Sequence, residues 1–144
     1  MITSSAAHHS FVFDADGKLW ASGFNGRGQL GLGDVDMRAL GAVEVPWEGY
    51  GVVQGALGYN HSLLLDRAGV LWAAGSFLPN IQAFIFVQVP NLPPIRFVAC
   101  GHDHSVAVDR EGRPWAFSSS RLAAQGGLVA RRMLQRSPTG PQLK

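Results

Sequence analysis

Three stretches decide the fold: HSFVFDADGKLWASG over residues 9–23, HSLLLDRAGVLWAAG over 61–75 and HSVAVDREGRPWAFS over 104–118. His-Ser opens each one. Asp14, Asp66 and Asp109 share an offset, as do Gly17, Gly69 and Gly112, and as do Trp20, Trp72 and Trp115. All columns step by 52 and then 43 residues, so the chain carries an internal repeat.

Each stretch reads as a β-hairpin. The residues after His-Ser (Phe11 to Phe13, Leu63 to Leu65, Val106 to Val108) are short runs of β formers bounded by turn residues. Asp-x-x-Gly follows. The aspartate can accept backbone N–H bonds inside the turn, and the glycine can take positive φ without steric cost. A type I turn closed by a glycine bulge fits that pair. KLWAS, VLWAA and RPWAF then supply the return strands, with Pro114 confined to a strand start, an edge or a bulge. Ala42 to Val45, Phe84 to Val89 and Arg96 to Ala99 are further strand candidates, and Pro46 and Pro90 end two of them. Units of this length with about four short strands and no helix are the pattern of propeller blades.

Outside the hairpins, the chain reads GFNGRGQLGLGD over 23–34. With Gly58 and Gly101 three residues ahead of a His-Ser pair (Ala6 in the first unit), this resembles the regulator-of-chromosome-condensation repeat family. The resemblance spans roughly residues 1–118. It implies an all-β fold, a partial β-propeller with too few blades to close the family's ring of seven. Units of about 1–50, 51–94 and 95–118 are expected, followed by a basic, flexible tail over 119–144. The Gly-Gln-Leu-Gly element is lost in the second unit, GSFLPNIQ, and is reduced to Gln125, Gly126 and Gly127 in the third. The chain therefore reads as a fragment of a longer protein, a truncated product, or a piece that assembles through its open blade faces.

Composition bounds the rest. The chain has 144 residues, 47% hydrophobic and 15% charged, enough for one domain with a core and too apolar for a disordered chain. One cysteine, Cys100, excludes an internal disulfide and a cysteine zinc site. The first ten residues lack the charge and apolar core of a signal peptide, and no apolar run reaches about 20 residues, so an intracellular protein, cytoplasmic or nuclear, is expected. Residues 1–118 hold seven basic and ten acidic side chains, whereas 119–144 hold five basic and none acidic. Basic character thus sits in the tail, and a nucleic-acid surface is not indicated. Arg131, Arg132 and Arg136 are the candidate contacts for an acidic partner, on a short basic helix around 128–135 or on a disordered end.

No catalytic set emerges. Gly26-x-Gly28-x-x-Gly31 spells a dinucleotide fingerprint, but Gly33-Asp34 follows where a helix is required, so a structural loop is preferred. His9, His61 and His104 recur one per unit, which suits an imidazole bonded to nearby backbone better than a shared metal ion. Cys100 in FVACG reads as a small buried thiol, Trp20, Trp72 and Trp115 as packing between blades, and Trp47 as the more exposed tryptophan. No cofactor, metal or catalytic residue is expected. What the resemblance implies is a protein-interaction or scaffold module that is not an enzyme. The alternatives are guanine-nucleotide exchange on a small GTPase, which needs no catalytic triad, or a non-functional truncated product.

Overall fold

The computed structural model describes residues 8–36, 38–119 and 131–132. Their regular structure is entirely β, with no helix long and apolar enough to cross a membrane. Blade 1 is the antiparallel sheet β1 (His9–Phe13), β2 (Leu19–Gly23) and β3 (Arg38–Glu44). Blade 2 is β4 (Val52–Leu57), β5 (His61–Asp66), β6 (Leu71–Leu78) and β7 (Ile81–Gln88). Blade 3 is β8 (Ile95–Cys100), β9 (His104–Asp109), β10 (Pro114–Ser118) and β11 (Arg131–Arg132). The three sheets are stacked blades of a partial propeller.

The hairpins follow from the turn chemistry. In all three, the Asp backbone carbonyl accepts the N–H of the glycine three residues on, at 3.0, 3.0 and 2.9 Å. Oδ1 of the same aspartate takes the backbone N–H groups of positions two and four ahead: Asp16 and Lys18, Ala68 and Val70, Glu111 and Arg113. Gly17, Gly69 and Gly112 sit at φ 81°, 89° and 87°, the left-handed region that a side chain resists. Pro114 opens β10, where no ladder donor is needed. Val45 and Val89 each make one last backbone bond, to Leu19 and Leu71, before Pro46 and Pro90 end the pairing.

Two strands, β4 and β11, have no counterpart among the expected ones. Val52–Leu57 reads VVQGAL, and its glutamine and glycine hide the alternation of a half-buried strand. Arg131–Arg132 pairs antiparallel with Trp115 and Ala116 in place of the basic helical turn considered for that stretch. The rest of the expected tail, residues 120–130 and 133–144, lies outside the described residues.

Blade 2 organises the core. Every residue of β5 is buried, because successive side chains point to opposite faces and both faces are covered. Leu64 packs toward blade 1 with Phe11, Leu19, Leu30, Ala74 and Phe86. Leu63 and Leu65 pack toward blade 3 with Ile95, Val98, Ala107 and Phe117. The end blades bury one face each, so β1 alternates between buried Phe11 and exposed Val12. Trp47, expected to be exposed, is half-buried at the blade 1–2 seam, its ring 5.3 Å from Trp72 and 5.7 Å from Phe86.

Leu64→Ala is expected to lower the unfolding free energy by about 2–5 kcal/mol in a denaturant titration, because neighbours on two sheets cannot collapse into the cavity. Exposed Val53→Thr on the same blade is expected to stay within about 0.5 kcal/mol.

Candidate interaction site

The repeated histidines do not bond to nearby backbone, as their place at a strand start suggested. His9 and His61 instead reach into the next blade, whereas His104 stands exposed beside Asp103. His9 Nε2 lies 2.7 Å from Ser62 Oγ, and His61 Nε2 lies 2.9 Å from Ser105 Oγ. Ser62 spends its own proton on the Gln29 carbonyl at 2.6 Å, so His9 must be the donor and carry its proton on Nε2. His9, His61, Ser62 and Ser105 are all buried. The glycine three residues before each histidine leaves room for the ring. A Cβ on Gly58 would collide with the His61 imidazole, and one on Gly101 with that of His104. Ala6, the matching residue of the first unit, lies outside the described residues.

Burial is the main reason that His9 and His61 resist protonation, with repulsion from neighbouring histidines adding to it, and both are pushed down to about 4. The Asp109 carboxyl is pushed up by burial, but bonds from the Arg113 and Glu111 backbone and from the Trp115 and Arg113 side chains overcome this and hold it at about 2. The indole bond recurs in every blade: Trp20, Trp72 and Trp115 donate Nε1–H to Oδ2 of Asp14, Asp66 and Asp109 at 2.8, 2.9 and 3.0 Å. The tryptophan of the return strand thus ties the turn aspartate to the sheet.

The loop over 25–34 plugs blade 1 onto blade 2. Asn25 accepts the Leu30 N–H and donates to the carbonyls of Asp34 and Asp36, which folds the loop on itself. Gly33 donates to the Phe84 carbonyl at 2.7 Å, and Leu32 bridges Ile85. A Cβ on Gly28 would stand 2.5 Å from the Phe84 ring, and one on Gly31 2.5 Å from that of Phe86. The glycines are therefore the price of close packing against β7, and the dinucleotide-like spacing is a packing motif.

Cys100 is half-buried, with its sulfur 4.0 Å from Ser105 Oγ, and burial pushes the thiol up to about 12. Cys100 is thus less covered than the small buried thiol expected of FVACG, and its raised pKa disfavours the reactive thiolate. Among the described residues, no three His, Cys, Asp or Glu side chains converge as a metal site. Arg131 and Arg132 are placed by their backbone alone, on the edge of blade 3, and Arg136 lies outside the described residues.

Two surface features went unread in the sequence. Ile81, Phe84 and Ile85 of β7 are exposed at 45, 42 and 52%, on the edge of blade 2 that the loop reaches. Edge strands and exposed apolar side chains are where chains meet partners. The signal was the apolar run AFIFV, which reads as a buried strand until its edge position is known. An open groove of about 340 Å³ lies between the first hairpin turn and the Val45–Trp47 segment, lined also by Lys18, Leu19 and Glu44.

These blades, joined by a repeated His-Ser element, form a partial β-propeller built of RCC1-like repeats. The chain is homologous over about half its length to RCC2: 39% identical over 80 residues to Protein RCC2 of Homo sapiens, and 37% over 73 residues to the Protein RCC2 homolog of Xenopus laevis. Those matches cover 52 and 51% of this chain but only 14% of either relative. Among solved structures, yeast RCC1 (Prp20) bound to Kap60 superposes with a TM-score of 0.71 at 25% identity, over 77% of this chain and 30% of that one. Prp20p from Saccharomyces cerevisiae gives 0.70 at 24%, over 88 and 36%. Human WBSCR16 gives 0.67 at 20%, over 77 and 31%, a likeness of fold. No protein-family model matches the chain.

The histidines set an acid limit. Unfolded histidines titrate near 6.5 and the folded ones near 4, so their contribution is complete above pH 6.5 and is lost as pH falls toward 4. About 3 kcal/mol per histidine is at stake. Urea titrations at several pH values are expected to show a steep fall in stability across that window. His61→Gln is expected to be less stable at pH 7 and to have a shallower pH slope.

Proposed function

We propose that this chain is a non-catalytic protein-interaction module of the cytoplasm or nucleus. The observation that carries this reading is the exposed apolar edge of β7, Ile81, Phe84 and Ile85, held beside the loop that locks blade 1 to blade 2. Stacked blades fix the direction of that edge. The open, mixed-polarity groove at Lys18, Glu44 and Trp47 suits a partner's side chain better than an enclosed small molecule.

The net acidic body over 1–118 favours a basic partner surface. One solved relative, yeast Prp20, was studied for binding to Gsp1p and histones in one structure and is bound to Kap60 in another. That likeness supports partners of the same kind here and motivates the second reading, guanine-nucleotide exchange on a small GTPase. Exchange requires a broad face of the disk, and three blades present a small one. The arginines at 131, 132 and 136 remain the proposed contacts for an acidic partner.

Calorimetric titration of the full chain against purified histones and against a small GTPase tests the proposal. Saturable binding to one of them, weakened at least tenfold by Ile81→Lys with Ile85→Lys, is the expected result. Binding that ignores both substitutions would reject the β7 edge as the site. Accelerated release of a fluorescent guanine nucleotide from the GTPase would replace the module reading with exchange.

A further inference from the structure

The two blade joints share one grammar, and the end faces hold its unused halves. In each joint, the imidazole of the earlier blade meets the serine hydroxyl of the later one. His104 is the matching histidine of blade 3. Its side chain is 58% exposed, 3.7 Å from the Asp103 carboxylate, whereas His9 and His61 are buried. Ser10 is the matching serine of blade 1 and is half-buried, whereas Ser62 and Ser105 are fully covered.

The surroundings match as well. Cross-strand partners share a face, so the outward face of blade 3 carries Phe97, Ala99, Val106, Val108 and Ala116 around His104. Val106 and Val108 sit where Leu63 and Leu65 of blade 2 pack on blade 3. The outward face of blade 1 carries Ser10, Val12 and Trp20. Val12 and Trp20 sit where Leu64 and Trp72 of blade 2 meet blade 1. Val12 is 41% and Phe97 46% exposed among the described residues. The blade 2–3 joint forms without a Gly-Gln-Leu-Gly plug, since blade 2 reads GSFLPNIQ there.

We propose that blade 3 of one copy docks on blade 1 of a second copy and closes a His104–Ser10 hydrogen bond between them, continuing the intramolecular stack. The interface is heterologous, so it propagates to a ring or an open chain. Val12→Arg blocks only the blade 1 face and Val106→Arg only the blade 3 face. Both sites lie outside the two buried clusters, and an unchanged circular dichroism spectrum checks the fold.

Sedimentation velocity of the full chain is the test. The wild type is expected to form concentration-dependent oligomers, and each arginine variant to stay at 15.4 kDa. An equimolar mixture of the two variants keeps one good pair of faces and is expected to give a dimer and nothing larger. Ser10→Ala and His104→Ala are each expected to raise the dissociation constant about tenfold, which keeps the test open if an arginine variant fails to fold. A wild type that stays monomeric would overturn the proposal. A mixture without dimer would overturn it too, as would oligomers indifferent to all four substitutions.

Discussion

The structure depends on a buried hydrogen bond that crosses from one sheet to the next. An imidazole N–H from blade 1 meets a hydroxyl of blade 2, and an imidazole of blade 2 meets a hydroxyl of blade 3. Leucines and phenylalanines supply most of the burial energy, but apolar contact is tolerant of sliding. A hydrogen bond in a dry seam is not, because losing it strands polar groups away from water. Register between the blades is set by these pairs, and the apolar clusters fill in around them.

Ser62 shows how the joint is made specific. It is held between two groups of blade 1, the His9 ring and the Gln29 carbonyl. Gln29 is positioned by the loop that Asn25 folds, with the Arg27 N–H on its side-chain oxygen. The next joint lacks that loop. There Gln54 accepts the Val98 N–H at 3.0 Å, and Tyr59 donates its backbone N–H to His102 at 2.9 Å while its ring stacks on the His102 imidazole at 4.4 Å. The motif decays between units, yet the seam is conserved in kind, because different groups satisfy the same requirement.

Local chemistry was legible in the sequence, and long-range chemistry was not. Asp-x-x-Gly with a tryptophan three residues later specifies a turn by groups within seven residues, so hairpins could be read at Asp14, Asp66 and Asp109. The partners of His9 and His61 are 53 and 44 residues away, and no local pattern names them. A signal was present all the same. Adjacent strand residues point to opposite faces, so a repeated His-Ser puts a donor on one face and an acceptor on the other in every blade. Strand β4 was missed because Gln54 and Gly55 break its alternation, and Gln54 is now seen to serve the joint. The β7 edge was missed because an exposed strand that is apolar along most of its length reads as a buried one.

The most direct measurement is a double-mutant cycle on His61 and Ser105, with unfolding free energies for the wild type, His61→Ala, Ser105→Ala and the pair. A seam fixed by the cross-blade bond predicts strong non-additivity, about 1 kcal/mol or more of coupling, with the double variant little worse than the poorer single one. Additive losses would contradict it and would leave the blades held by apolar packing alone.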